Sequence, residues 1–179
     1  MQFPESVLWN YSTKIWTLTG VESTCLELQD EFDTNTNMLL YCCWVGNQLL
    51  CLNDDDLQIL LDAMKPLQTI INPLRDSRKM MKQNLIAMPP SMAEQTLDNI
   101  REMELNVEHM AQLTLEKTLD LKQLNNCSDQ SSITCSQINL NAYLQTLDNI
   151  SSDDTTEQKI DQLLSAIYPD EVSAISNEC

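Results

Sequence analysis

The chain has 179 residues and carries 27 acidic against 10 basic side chains, a formal net charge of -17. A field of that sign repels nucleic-acid phosphates and anionic lipid, which argues against nucleic acid and membrane surfaces as partners. Only two glycines occur, Gly20 and Gly46, where average usage of about 7 % would give roughly a dozen, so turn-rich β architecture and glycine-lined phosphate loops lack material.

In chain order, Pro4 suits a first helical position, and Leu8, Trp9, Ser12, Ile15 and Trp16 recur at helical spacing. Gly20 stops that helix, and Val21, Cys25, Leu28 and Phe32 make a second apolar stripe before a polar loop over residues 33–37. The run MLLYCCWV suits a buried strand or a buried helix, but Val45 is its only β-branched residue. Asn and Thr precede it and Gly46 follows, which predicts a helix.

Asn53 followed by Asp54, Asp55 and Asp56 predicts a helix start, with acid where the helix dipole is positive, and Leu57, Leu60, Leu61 and Met64 follow on one face. Pro66 and Pro73 are expected to break or kink it, Pro73 opening a new basic helix. Pro89 and Pro90 force a turn. Residues 91–125 then hold no proline or glycine, and Ile100, Met103, Val107 and Met110 alternate spacings of three and four. A helix of roughly 30 residues, about 45 Å, is expected there. Residues 125–136 are polar and turn-prone. Two shorter helices are marked by Ile138, Tyr143, Leu144, Leu147 and Ile150, and by Ile160, Leu163, Leu164 and Ile167, before Pro169 and a tail expected to fray.

The expectation is an all-α protein: one helical bundle with an aromatic N-terminal three-helix subdomain (1–52), central helices (53–125), a loop (126–136), C-terminal helices (137–168) and a tail (169–179). Seven of the nine aromatic residues lie in the first 44 positions, and Trp9, Trp16, Tyr41 and Trp44 are the candidates for an aromatic core or pocket.

Leu8-Trp9, Tyr11-Ser12, Gly20-Val21, Cys25-Leu26, Leu28-Gln29-Asp30, Asn37, Leu39-Leu40 and Cys42-Cys43-Trp44 together form a pattern. It continues in Pro73-Leu74-Arg75, Arg78, Glu102, Glu104, Asn141-Ala142-Tyr143-Leu144 and Leu163-Leu164. In these residues the chain resembles a small helical family of uncharacterised proteobacterial proteins, a domain of unknown function. The resemblance implies a helical fold, a bacterial origin and a cytoplasmic location, and supplies no activity or cofactor.

Candidate chemistry is sparse. The N-terminus lacks the basic start and long apolar core of a signal peptide, so the seven cysteines are expected to be reduced, in the cytoplasm. The longest apolar run, residues 38–45, is far short of the about 20 residues that span a membrane. Cys42 and Cys43 face directions about 100° apart on a helix, and with Cys25 and Cys51 they fit small core residues better than metal ligands. A metal or redox site would need at least three thiols converging. His109 is the only histidine, roughly 200° around its helix from Val107, and is expected to be exposed. No Gly-x-Ser-x-Gly turn accompanies it, which leaves nucleophilic catalysis without material. Asp54-Asp55-Asp56 lacks the glycine and distant glutamate of an EF-hand loop. No catalytic residue, cofactor or metal is expected.

Arg75, Arg78, Lys79 and Lys82 form a cationic stripe that suits either an interaction or anion site, or pairing with Glu94, Asp98, Glu102 and Glu104 on the next helix. Met64, Met80, Met81, Met88, Met92, Met103 and Met110 gather around the central turn, as irregular core or adaptable groove. Three functions remain open. The leading one is a non-enzymatic protein-interaction or accessory module that binds an unidentified protein or itself. The alternative is a binder of a small apolar ligand between the aromatic helices and the methionine-rich turn. The third is a cysteine-based metal or redox protein. A pocket with few polar groups favours the ligand binder, and a flat exposed apolar patch the interaction module.

Overall fold

Four of the α-helices in this chain start where a short polar side chain closes the first turn, as expected of residues that satisfy orphan backbone donors. In the computed structural model, which describes residues 3–83, 89–127, 129–147 and 154–171, Ser6 accepts from the Trp9 amide at 3.0 Å and opens α1 (Val7–Trp16). Gly20, in the left-handed region at φ 96°, precedes α2 (Val21–Phe32), and Asn35 caps α3 (Thr36–Gly46). Asn53 and Asp56 cap each other's backbone reciprocally at the head of α4 (Asp54–Lys82). Pro90 occupies the first position of α5 (Pro90–Thr118), Ser131 caps α6 (Ser132–Gln145), and α7 (Asp154–Ile167) completes the all-α order.

Every residue of α3 is buried. A helix apolar all round must be the centre of its bundle, and α6 lies along one side of it while α1, α2 and α5 cover others. The approach of α6 is closest at Gly46, where any Cβ would run into the backbone and side chain of Ser136. The face α6 turns inward carries Cys135, Ser136, Asn139, Leu140, Tyr143 and Leu144. It is shifted from the stripe expected in the sequence, because two of its members are polar; Ile138 is 43 % exposed, and Ile150 falls outside the described residues. On α7, Ile160, Leu163, Leu164 and Ile167 are all buried.

α4 and α5, 29 residues each, pair along their length as an antiparallel hairpin. The expectation that Pro66 and Pro73 interrupt the chain is overturned, since α4 runs unbroken through both. They stand seven residues apart on the exposed face, so the carbonyls they leave unbonded face water, while Leu57, Leu60, Met64 and Ile71 are buried on the other face. The long helix stops at Thr118 rather than near residue 125. A short 3-10 turn (Leu121–Gln123) leads into β2 (Asn125–Asn126), which pairs antiparallel with β1 (Leu50–Cys51) in the register Leu50↔Asn126 and Cys51↔Asn125. The stretch expected as a loop over 126–136 therefore holds part of a strand and the start of α6. Among the described residues, no helix is long and apolar enough to cross a membrane.

Candidate functional site

A cavity of about 270 Å³ opens among α1, α2, α3, α4 and α5. Its apolar walls are Trp9 and Trp16 from α1, Leu26 from α2, Leu40 from α3 and Leu105 from α5. The helical period carries Trp9, Ser12 and Trp16 to one side of α1, so a single face of that helix supplies two indoles and a hydroxyl. Trp9 is held from behind: its ring lies 4.2 Å from that of His109 and within 6° of parallel, and Phe3 packs on the same imidazole at 4.4 Å. His109, expected to be exposed, is thus sandwiched between aromatics. α1 crosses α5 at this point and covers it. Desolvation lowers the His109 pKa below its ordinary value.

The floor is polar. Gln112 donates to Asn37 at 3.1 Å, Asn37 donates to Glu108, and Glu108 accepts from Arg75 at 2.5 Å. Arg75 also lies 3.5 Å from Glu104, which takes two bonds from Arg78 at 2.7 and 3.2 Å. This chain joins α3, α4 and α5 and contains two cations and two carboxylates, so it is neutral as a unit. Two buried atoms at the cavity have no hydrogen-bond partner: Ser12 Oγ and Gln112 Oε1, on side chains 3 % exposed.

The structure separates the candidates that the sequence grouped. Trp9 and Trp16 line the cavity, while Tyr41 and Trp44 pack against each other at 5.5 Å within the core. Of the cationic stripe, Arg75 and Arg78 line the cavity, Lys79 reaches Asp30 of α2 at 3.6 Å, and Lys82 is exposed. The acid facing Arg78 is Glu104, and Glu108 joins it. Asp98 pairs with Arg101 inside its own helix at 2.8 Å. No methionine lines the cavity, and Met88 lies outside the described residues. Glu108 and Gln112 were not singled out in the sequence, and Asn37 entered there only as one residue of the family pattern, with no role at a site. The signal was present in part: Glu104, Glu108 and Gln112 recur every four residues, a polar line on a helix otherwise read for its apolar stripe.

The cysteines also differ from expectation. Cys51 and Cys127 are joined in a disulfide, with Cα atoms 6.3 Å apart, whereas Cys25, Cys42, Cys43 and Cys135 are free and buried. Spacing could not reveal the bond, because its partners are 76 residues apart and meet only through the β1–β2 ladder. Burial pushes the Cys25 thiol up to about 12, and raises Cys42 and Cys43 in the same direction, as for inert core thiols.

Residues 7–115 match the model of a protein family described as a protein of unknown function, DUF2390. No curated protein and no solved structure matches the chain. The matched span begins with the first residue of α1 and ends within α5, so it contains every residue that lines the cavity. Cys127, Cys135, α6 and α7 lie beyond it.

Proposed function

We propose that this chain, which belongs to the DUF2390 family of proteins of unknown function, is a binding protein whose cavity takes a small, neutral, largely apolar ring compound. The observation that carries this is the pair of unpartnered buried atoms, Ser12 Oγ and Gln112 Oε1, in a cavity walled by Trp9 and Trp16. A buried polar atom left unpaired costs about 1–3 kcal/mol, and a ligand hydroxyl or amide is a natural partner for both. The cavity is slightly smaller than drug-sized sites of about 300–1,000 Å³, which favours a ligand of one or two rings. The mutual neutralisation of Arg75, Arg78, Glu104 and Glu108 favours a neutral molecule over an anion.

The test uses 2-naphthol and naphthalene as probes, read by quenching of tryptophan fluorescence, together with native mass spectrometry of freshly purified protein. Saturable 2-naphthol binding is expected, with naphthalene about 10-fold weaker, the equivalent of one hydrogen bond of about 1.4 kcal/mol. Ser12→Val and Gln112→Leu should erase that difference. No saturable binding of either probe and no retained small molecule would refute the proposal. The protein-interaction reading keeps one specific support, the large apolar side chains standing about half exposed on the two long helices: Ile59 and Ile70 on α4, Met103 and Met110 on α5, at 47–55 %. Light scattering at increasing concentration and co-purification from the native source test it.

A further inference from the structure

The segment between Cys51 and Cys127 contains the whole of α4 and α5, so the disulfide ties off the base of the long hairpin. A third sulfur stands against that bond. Cys135, in the first turn of α6 and fully buried, places its Sγ 3.7 Å from the Cys127 carbonyl, and the three sulfurs lie within 4.8 Å of one another. The other free thiols on the described residues, Cys25, Cys42 and Cys43, sit on α2 and α3 and take no part in this cluster. Disulfide exchange requires a sulfur nucleophile within reach of a bonded sulfur, and a thiol held this close makes a cross-link that can change address.

We propose that Cys51, Cys127 and Cys135 form a thiol–disulfide exchange site in which Cys127 bonds either Cys51 or Cys135. In the exchange, the Cys135 thiol loses its proton and its sulfur attacks Cys127 Sγ. The Cys51–Cys127 bond breaks, the Cys127–Cys135 bond forms, and Cys51 leaves as a thiolate that takes up a proton. One disulfide and one thiol are present before and after, so neither oxidant nor reductant is consumed. Cys127 is half-buried while Cys51 and Cys135 are buried, so a small external thiol of the glutathione class reaches Cys127 first. Such a thiol bonds Cys127 and frees Cys51, and Cys135 then expels it.

Three sulfurs at this distance also suit a soft cation. Burial and the neighbouring Glu171 carboxylate push the Cys135 thiol up, which opposes three thiolates gathered around a metal and also slows the exchange, since only the deprotonated fraction of Cys135 attacks. The two disulfides differ in what they hold. Cys51–Cys127 spans 76 residues and closes the hairpin base, whereas Cys127–Cys135 spans eight and leaves the base free. The longer loop restrains the unfolded chain more, so the exchanged form should melt about 4–8 °C lower.

The experiment is disulfide mapping after acid quench and alkylation, and the tryptic peptide 123–159 is informative because it carries Cys127 and Cys135 and no other cysteine. In wild-type protein with catalytic glutathione, a fraction of that peptide should appear with an internal disulfide, lighter than the dithiol by two hydrogens. Cys51→Ser exposed to glutathione disulfide should convert to that form, and Cys135→Ser should show only the cross-link to Cys51. The wild-type arm stands even where a variant fails to fold. The proposal is overturned where wild type shows only the Cys51–Cys127 link and Cys51→Ser ends as free thiols or as a glutathione adduct on Cys127. It is equally overturned where dithiol-reduced wild type retains one equivalent of zinc after desalting and Cys51→Ser does not, since the cluster is then a metal site.

Discussion

Asn139 uses every polar group of its side chain in the interior: Oδ1 accepts from the Leu52 amide at 2.8 Å, and Nδ2 donates to the carbonyls of Cys42 at 3.2 Å and Leu50 at 3.0 Å. One asparagine therefore fastens β1 to α3 and α6. Nothing distinguishes it in the sequence from the solvent-facing asparagines around it, because its role depends on partners about 90 residues away. Asn139→Leu takes their partner from the Leu52 amide and the Leu50 carbonyl, while the Cys42 carbonyl keeps its place in the α3 ladder, and urea unfolding should show a loss of about 2–4 kcal/mol. Gly46→Ala should cost about 1–3 kcal/mol by overpacking against Ser136. His109 adds a pH dependence. Its pKa in the folded protein lies below the ordinary 6.5, so in that window the unfolded chain binds a proton that the folded chain does not. The stability linked to His109 is complete above about pH 6.5 and is lost as pH falls toward the depressed value. Melting temperatures between pH 7.5 and 5 should fall more steeply for wild type than for His109→Phe, and equal slopes would disconnect the imidazole from stability.

At the scale of elements, helix existence is legible where burial and local chemistry agree. The run MLLYCCWV is a helix because Asn35 caps it and Gly46 admits α6 at its end, and the Asn53–Asp56 box is readable as four adjacent letters. The two-residue strands are not legible, since neither LC nor NN has any strand signal of its own and their pairing follows from how the ends of the hairpin meet. The prolines mislead for a related reason: local cost predicts a break, and packing of the opposite face of α4 on α5 outweighs it. The register of that hairpin is set in part by Arg78 with Glu104 and Arg75 with Glu108, side chains only 14–24 % exposed. Such pairs lie between the weak exposed case and the strong buried one. Arg78→Glu should cost roughly 2–3 kcal/mol, and the double exchange Arg78→Glu with Glu104→Arg should recover about half. Pairing Arg78→Glu with Asp98→Lys should recover nothing, because Asp98 belongs to Arg101.

For the whole molecule, the sequence singled out Trp9 and Trp16 as aromatics and Arg75 and Arg78 as cations, but not that all four face one cavity. That fact requires α1 to dock on α5, through contacts such as Trp9 with His109 and Leu8 with Glu116 between residues about 100 positions apart, and no local pattern encodes it. What does follow from composition is the electrostatic state of the whole. Among the described residues seven acidic side chains take part in ion pairs, against 27 in the chain and a net charge of -17. The surplus repels itself more in the folded state, where charges are close, than in the expanded chain. The Debye length shrinks from about 30 Å at 0.01 M salt to about 10 Å at 0.1 M, so salt removes long-range repulsion first and short ion pairs last. Arg75, Arg78, Glu104 and Glu108 are also partly shielded from solvent, which protects their attraction from screening. The melting temperature should therefore rise by several degrees between 0.01 and 0.3 M sodium chloride, and an equal rise in potassium chloride separates screening from specific ion binding. Arg78→Glu adds charge to the surplus and should rise more steeply than wild type. A melting temperature that falls with salt would mean that the ion-pair chain between α4 and α5 contributes more to stability than the general repulsion takes away.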